Sequence, residues 1–263
     1  MVEKNGYLPG TFCWFELATS DQEAAKSFYA GLFGWTPNDT PMGPGSFYTM
    51  LQLRGKEIGA LYTMMPDVKA MGVPPNWMTY VAVADVDASA AKVKELGGAV
   101  MAAPMDVFDF GRMVVAKDPQ GAVFAMWQAR SHKGAGLYGE TGAACWAELQ
   151  TKGIDGAKAF YGGLFGWEGK TSAGGGVAYT EWQMPGTGPF GGGMEIQPDM
   201  GPIPPNWLVY FMVDDVDASV AKAAELGAKT CVPPMDIPGT GRFSVLADPQ
   251  GAVFAVFKLT AAS

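Results

Sequence analysis

The chain has 263 residues, 48% of them hydrophobic and 17% charged, the composition of an ordinary soluble globular protein with one large domain or two of usual size. Its net charge of −8 repels phosphate backbones and anionic bilayers, which argues against a nucleic-acid or membrane partner. No apolar run reaches the ~18–20 residues of a membrane span, and the opening MVEKNGYLPG has no secretion signal. Three cysteines without C-x-x-C spacing suit neither a disulfide framework nor a zinc site. A cytoplasmic protein is expected.

Residues 1–10 read as an N-terminal tail. Residues 12–18 alternate aromatic and apolar side chains and predict a strand. Ser20 or Asp21 can cap the helix that follows, with Ala24, Ala25, Phe28 and Leu32 on one face and Gly34 as its stop. Strands are predicted over 46–53 and 58–64. A second cycle begins with a strand over 77–83, then a helix over 88–96 capped by Asp85 or Asp87 and ended by Gly97-Gly98. Strands follow near 99–102, 112–116 and 122–128, with Asp118-Pro119-Gln120-Gly121 as a type I turn.

The whole pattern then recurs. Cys13-Trp14, Phe28-Tyr29 and Leu32-Phe33-Gly34-Trp35 reappear 132 residues on as Cys145-Trp146, Phe160-Tyr161 and Leu164-Phe165-Gly166-Trp167. Pro74-Pro75-Asn76-Trp77, Asp85-Val86-Asp87-Ala88-Ser89 and DPQGAVFA at 118–125 reappear 130 residues on. The chain is therefore a tandem repeat, with domains expected over 11–130 and 142–260. The Gly-rich, polar segment 131–141 between them reads as a linker.

These residues carry a family resemblance. A helix with Phe-Tyr, then Leu-Phe-Gly-Trp, Asp-Val-Asp-Ala opening a second helix, Leu-Gly-Gly and Asp-Pro-Gln-Gly resemble the vicinal oxygen chelate superfamily, the glyoxalase, bleomycin-resistance and extradiol dioxygenase proteins. The resemblance covers nearly the whole chain. It implies an α+β fold of four βαβββ modules, forming two tandem glyoxalase-like domains that each curl around a cavity. It also implies where metal ligands would stand. The first lies fourteen residues before the Phe of Phe-Tyr, the second seven before the Asp of Asp-Val, and the closing one four after the Asp-Pro-x-Gly turn. Those positions hold Trp14, Met78 and Ala125 in copy one, and Trp146, Leu208 and Ala255 in copy two. The sole histidine, His132, falls in the linker. No metal and no other cofactor is expected, since a divalent site needs several converging N, O or S donors.

Strand alternation extends this set. Glu16 shares a face with Trp14, Tyr80 with Met78, and Val123 and Trp127 with Ala125. In copy two Glu148 joins Trp146, Tyr210 joins Leu208, and Val253 and Phe257 join Ala255. The expected pocket is apolar and aromatic with one carboxylate and one phenol, and suits a hydrophobic or aromatic small molecule. Arg112 and Arg242 lead into a strand near its mouth and are candidates to hold an acidic ligand. Plain structural roles are open to the same residues. The tryptophans can be core aromatics, and Glu16 and Glu148 can face solvent or pair with Arg112 and Arg242. The arginines can instead bridge to Asp106 and Asp236. Asp85-x-Asp87 reads as helix capping rather than a calcium loop. Glycines 174–176 and 191–193 read as hairpin loops rather than phosphate cradles. Cys13 and Cys145 are expected on the opposite strand face, as packing residues.

Two functions are open. One is a metal-free module that sequesters or carries a hydrophobic or aromatic molecule, acting as a monomer or homodimer. The other is a metal-independent enzyme, an isomerase, lyase or hydroxylase-like protein. It would use Glu16 or Glu148 as general acid or base with Tyr80 or Tyr210 as hydroxyl partner. Metal-dependent glyoxalase or dioxygenase chemistry is disfavoured by the absent ligands, and no Ser/His or Cys/His pair suggests a covalent route.

Overall fold

A computed structural model describes residues 3–173 and 177–260, so glycines 174–176 lie outside the described residues. The first copy runs β1 (Phe12–Thr19), α1 (Gln22–Phe33), β2 (Thr36–Gly43), β3 (Ser46–Leu53), β4 (Lys56–Thr63), the short α2 (Pro66–Ala70), β5 (Asn76–Ala82), α3 (Val86–Glu95), β6 (Ala99–Val107), β7 (Gly111–Lys117) and β8 (Val123–Ala129). The second runs β9 (Ala144–Thr151), α4 (Ile154–Phe165), β10 (Glu168–Ser172), β11 (Tyr179–Gln183), β12 (Gly191–Glu195), β13 (Asn206–Met212), α5 (Val216–Glu225), β14 (Lys229–Ile237), β15 (Gly241–Ala247) and β16 (Val253–Leu259). Each copy builds one eight-stranded sheet, ordered β2-β3-β4-β1-β5-β8-β7-β6 and β10-β11-β12-β9-β13-β16-β15-β14. This is the α+β arrangement of four βαβββ modules that the sequence predicts. The two modules of a copy join where β1 runs antiparallel to β5, and β9 to β13. The module pattern calls for a third strand after the first helix, but the residues gave no position for β2. The β2 sequence TPNDTPMG is exposed throughout and carries no alternating apolar signal.

Local chemistry explains the helix boundaries. Asp21, Asp85 and Asp215 each accept the N–H three residues on, satisfying one of the free donors of a first turn. The N-cap of α4 is Gly153, which has no side chain to offer; Glu195 Oε1 accepts the Ile154 N–H at 2.7 Å instead. Gly34 and Gly166 close α1 and α4 in the left-handed conformation at φ 71° and 74°. Glycines 191–193 are not a hairpin loop: they form β12. A Cβ on Gly191 would stand 2.6 Å from Phe12 Cε2, so the bare backbone lets that ring close over the strand.

The repeated motifs hold the two copies to each other. One hydrophobic core runs through both copies. Phe28 of α1 packs on Phe254, and Phe33 on Phe211, both in the second sheet. Reciprocally, Phe160 and Tyr161 of α4 pack on Phe124 of the first. The Trp35 indole donates to the Gly142 carbonyl at 2.6 Å, and that of Trp167 to Gly10 at 2.7 Å. The buried Tyr29 hydroxyl donates to Asp248 Oδ2 at 3.0 Å, and Tyr161 to Asp118 Oδ2 at 3.0 Å. Each tyrosine also accepts from the buried indole N–H of its own copy's Trp77 or Trp207, at 3.0 Å. The Asp-Pro-Gln-Gly turn thus does two tasks. Asp118 Oδ1 folds the turn by accepting from residues 120–122, and Oδ2 receives the other copy.

Candidate functional site

The helices cover one face of each sheet, and the other face is the candidate site. On it, in copy one, lie Trp14, Met78, Tyr80, Ala125 and Trp127, with Ala60, Tyr48, Met50, Met113 and Val115 around them. In copy two Trp146, Leu208, Tyr210, Ala255 and Phe257 assemble with Val232, Phe243 and Val245. Five of the expected contacts per copy are therefore brought together. The parallel pairing of Tyr80 with Ala125, like that of Glu16 with Ala60, also identifies the first module's counterpart of Ala125, a fourth position that the resemblance would give to a metal ligand. It is Ala60, and its equivalent beside Glu148 is Gly192.

Glu16 and Glu148 lie at the centre, 7% and 5% exposed. The Tyr80 hydroxyl donates to Glu16 Oε2, and Tyr48 is a second phenol bonded to that carboxyl. Tyr48 in turn accepts the Trp14 indole N–H at 3.4 Å. Copy two repeats the chain with one addition. Tyr210 donates to Glu148 Oε2 at 2.9 Å, and Tyr179 contacts the same carboxyl while accepting from Trp146 at 2.9 Å. Gln150 Nε2 reaches Glu148 Oε1 at 3.2 Å. Burial pushes both carboxyls above the ordinary glutamate range, and the phenol and amide hydrogen bonds pull them partly back. Tyr48, Tyr80, Tyr179 and Tyr210 are pushed well above the ordinary phenol range, by burial first and the neighbouring carboxylate second. They stay protonated and act as donors. Such a centre can bind a polar group of a ligand or pass a proton to it.

Tyr48 and Tyr179 were missed from sequence. They stand 131 residues apart, between the offsets of the early and late motifs, and that intermediate spacing is the signal that would have found them. Four expectations are corrected. Arg112 and Arg242 do not approach the site. Alternation along β7 puts Arg112 with Val114 and Ala116 on the helix-covered face, where its guanidinium grips Asp87 of α3 at 2.8 and 2.9 Å and Asp106 at 3.1 Å. Arg242 does the same with Asp217 and Asp236. Nor do the arginines meet Glu16 and Glu148. Val123 and Val253 fall outside the cluster, Val253 being 43% exposed. Each lies at the start of its strand, before the segment paired with β5 or β13. Cys13 and Cys145 sit on the concave face, not behind it. An irregularity between Phe12 and Trp14 shifts the register of β1, and a matching one sits between Tyr210 and Phe211 opposite β9; an inserted residue breaks the two-residue alternation.

At the positions that the resemblance assigns to metal ligands, the donor set does not fit a divalent ion. They offer an indole, a thioether and two methyl groups in copy one. Among the described residues no group of three or more His, Cys, Asp or Glu side chains converges. Two clefts of about 300 and 420 Å³ lie off the carboxylate centres. The first is lined by Tyr7, Cys13, Trp127 and Lys133, the second by Ile237, Pro238, Arg242 and Lys258.

Comparison with known proteins agrees with this architecture. Residues 11–126 match the model of the Glyoxalase/Bleomycin resistance protein/Dioxygenase superfamily, and residues 146–257 that of a Glyoxalase-like domain. The chain is 45% identical over 260 residues to CFP32 of Mycobacterium tuberculosis, whose name places it provisionally among the glyoxylases, with 98% of each chain covered. It is 36% identical over 263 residues to the anthracycline biosynthesis protein DnrV of Streptomyces peucetius, covering 96% of this chain and 94% of that one. Among solved structures, the Mn(II)-bound glyoxalase from Novosphingobium aromaticivorans aligns with a TM-score of 0.65 at 17% identity, over 95% of this chain and 82% of its own. The 2,3-dioxygenase LapB from Pseudomonas sp. KL28 aligns at 0.64 and 12%, over 94% and 91%. At such identities the likeness is one of fold.

Proposed function

From the premise that the chain belongs to the Glyoxalase/Bleomycin resistance protein/Dioxygenase superfamily, we propose that it binds a planar hydrophobic or aromatic small molecule on the concave sheet face, without a metal, and sequesters or carries it. One observation carries this reading. Where metal ligands would converge stand Trp14, Met78, Ala60 and Ala125 in copy one and Trp146, Leu208, Gly192 and Ala255 in copy two, around one buried Glu–Tyr pair in each, Glu16–Tyr80 and Glu148–Tyr210. Aromatic faces reward stacking as well as apolar burial, and the carboxyl–phenol pair orients one polar group. Anthracyclines are fused-ring aromatics, so the relationship to DnrV points to the same ligand chemistry. The test is a tryptophan-fluorescence titration with 1,8-dihydroxyanthraquinone. Saturable quenching supports the reading, and its absence at concentrations up to solubility overturns it.

A second reading has its own support. Glu16 and Glu148 are buried carboxyls with raised pKa, each held by two protonated phenols. That is the setting of a general acid–base group working near neutrality. In an enzyme, Glu→Gln at the working site lowers turnover by about 10²–10⁴-fold while binding persists. In a carrier, the same change alters affinity modestly and flattens its pH dependence.

A further inference from the structure

The two concave faces are built from equivalent strands and are covered differently. In copy one Cys13, Trp14 and Trp127 are buried. Their equivalents Cys145, Trp146 and Phe257 are each partly exposed. Further down the face the order reverses: Met78 and Val115 are partly exposed, and Leu208 and Val245 are buried. Each face is thus open at one end, and only the second opens beside its strand-one indole.

The cover on copy one is the segment that joins the copies. The His132 imidazole stands edge-on to the Trp14 indole, with ring centroids 4.6 Å apart and planes at 86°, and 6.0 Å from Trp127. The backbone holds it there. Trp127 Nε1 donates to the His132 carbonyl at 3.1 Å, and the Ala135 N–H to the Cys13 carbonyl at 2.8 Å. Tyr7 ties the N-terminal segment down by donating to the Ala135 carbonyl at 2.8 Å. The chain has one histidine, and its ring stands on copy one's face, beside Trp14 and Trp127.

Building on the aromatic-binding reading above, we propose that His132 is a built-in occupant of the first concave face, and that the second is the face that takes an external ligand. The ligand's ring replaces, over Trp146, what the imidazole supplies over Trp14. Trp146 and Glu148 are two residues apart on one strand, about 7 Å. A fused two- or three-ring phenol spans that distance, stacking at Trp146 and Phe257 and reaching the Glu148–Tyr210 pair with its hydroxyl. One ligand per chain is expected. The cleft beside Tyr7 and Lys133 reaches the first face only at Cys13 and Trp127 and does not extend to Trp14, Tyr80 or Glu16.

The single histidine makes the test direct. Its ring C–H signals are unique in a proton NMR spectrum, and the Trp14 ring current displaces them from free-imidazole positions. The wild-type protein is titrated with 2-naphthol while those signals are followed and the bound equivalents counted. Displaced signals that stay in place as one equivalent binds support the proposal. So does a loss of about tenfold or more in affinity in Trp146→Ala, and a second bound equivalent in His132→Gly. Histidine signals at free-imidazole positions before any ligand is added overturn it. So do signals that move there on saturation, or two equivalents bound by the wild type; in these cases aromatic binding itself stands. No binding by the wild type or by His132→Gly overturns the aromatic-binding reading, and the proposal with it. The NMR result needs no variant to fold.

Discussion

Replacing Tyr29 by Phe tests the central claim about how the two copies are joined. The ring is fully buried, so Phe keeps the packing and removes one oxygen. That oxygen donates to Asp248 Oδ2 and accepts from Trp77 Nε1, both at 3.0 Å. Asp248 keeps the backbone N–H groups of its own turn on Oδ1, and Oδ2 loses its partner. A hydrogen bond to a charged acceptor contributes about 1.5–3 kcal/mol, and a buried donor left unsatisfied costs about 1–3 kcal/mol. Tyr29→Phe is therefore expected to destabilise the protein by about 3–5 kcal/mol, and Tyr161→Phe, with the same geometry toward Asp118 and Trp207, by a similar amount. For a chain of this size that lowers the melting temperature by about 6–20 °C. The assay is urea unfolding followed by tryptophan fluorescence and by circular dichroism. Because the core is shared, the two probes should coincide in one transition in wild type and in both variants. A loss below about 1 kcal/mol would show that the hydroxyls are satisfied otherwise. Two separated transitions would show that the copies fold independently.

Other outcomes follow from the same contacts. Burial raises the Glu16 and Glu148 pKa above the ordinary value, so the folded chain holds these protons more tightly than the unfolded one. The contribution of these two groups to stability is then greatest below the unfolded glutamate value of about 4.3 and declines as pH rises through the raised folded values. Relative to Glu16→Gln/Glu148→Gln, the wild type's urea midpoint should fall as pH rises across that window; a difference that stays constant or grows with pH contradicts the assignment. Gly191→Ala places a Cβ 2.6 Å from Phe12 Cε2 and should cost about 1–3 kcal/mol by overpacking, read by the same denaturation. Asp85→Ala and Asp215→Ala each remove a side-chain cap and should cost about 1 kcal/mol apiece. Arg112→Met should leave 1,8-dihydroxyanthraquinone affinity unchanged and lower the melting temperature slightly, an effect that shrinks at high salt. Incubation with EDTA should change neither melting temperature nor anthraquinone binding; a loss of either on chelation speaks for a bound metal.

Much of the architecture was legible because it rests on short-range rules. The 132- and 130-residue offsets, the Asp caps and the glycine helix stops are local signals. Two-residue alternation was enough to put Glu16 beside Trp14 and Tyr80 beside Met78. The same rule applied along β7 from Val114 and Ala116 would have turned Arg112 away from the site, but which face of β7 is the helix face is known only once α3 has docked. The inserted residue beside Cys13 reverses the alternation upstream of Trp14, and a bulge has no reliable mark in one sequence.

Repetition by itself determined the doubling; the repeated motifs carried the resemblance that implied the class of fold, and the positions it assigns to metal ligands hold no metal-ligand residue types. Only the tertiary structure decided what the repeated residues are for. Phe-Tyr, Leu-Phe-Gly-Trp and Asp-Pro-Gln-Gly look like markers of each copy, yet Tyr29 meets Asp248 and Trp35 meets Gly142 across the copy boundary. His132 looks like part of a linker, yet it closes over Trp14. The physical reason is the same in each case. A pattern along the chain specifies which face of a strand or helix is apolar, but the partner that buries that face lies up to 219 residues away, and it is chosen by how whole sheets pack.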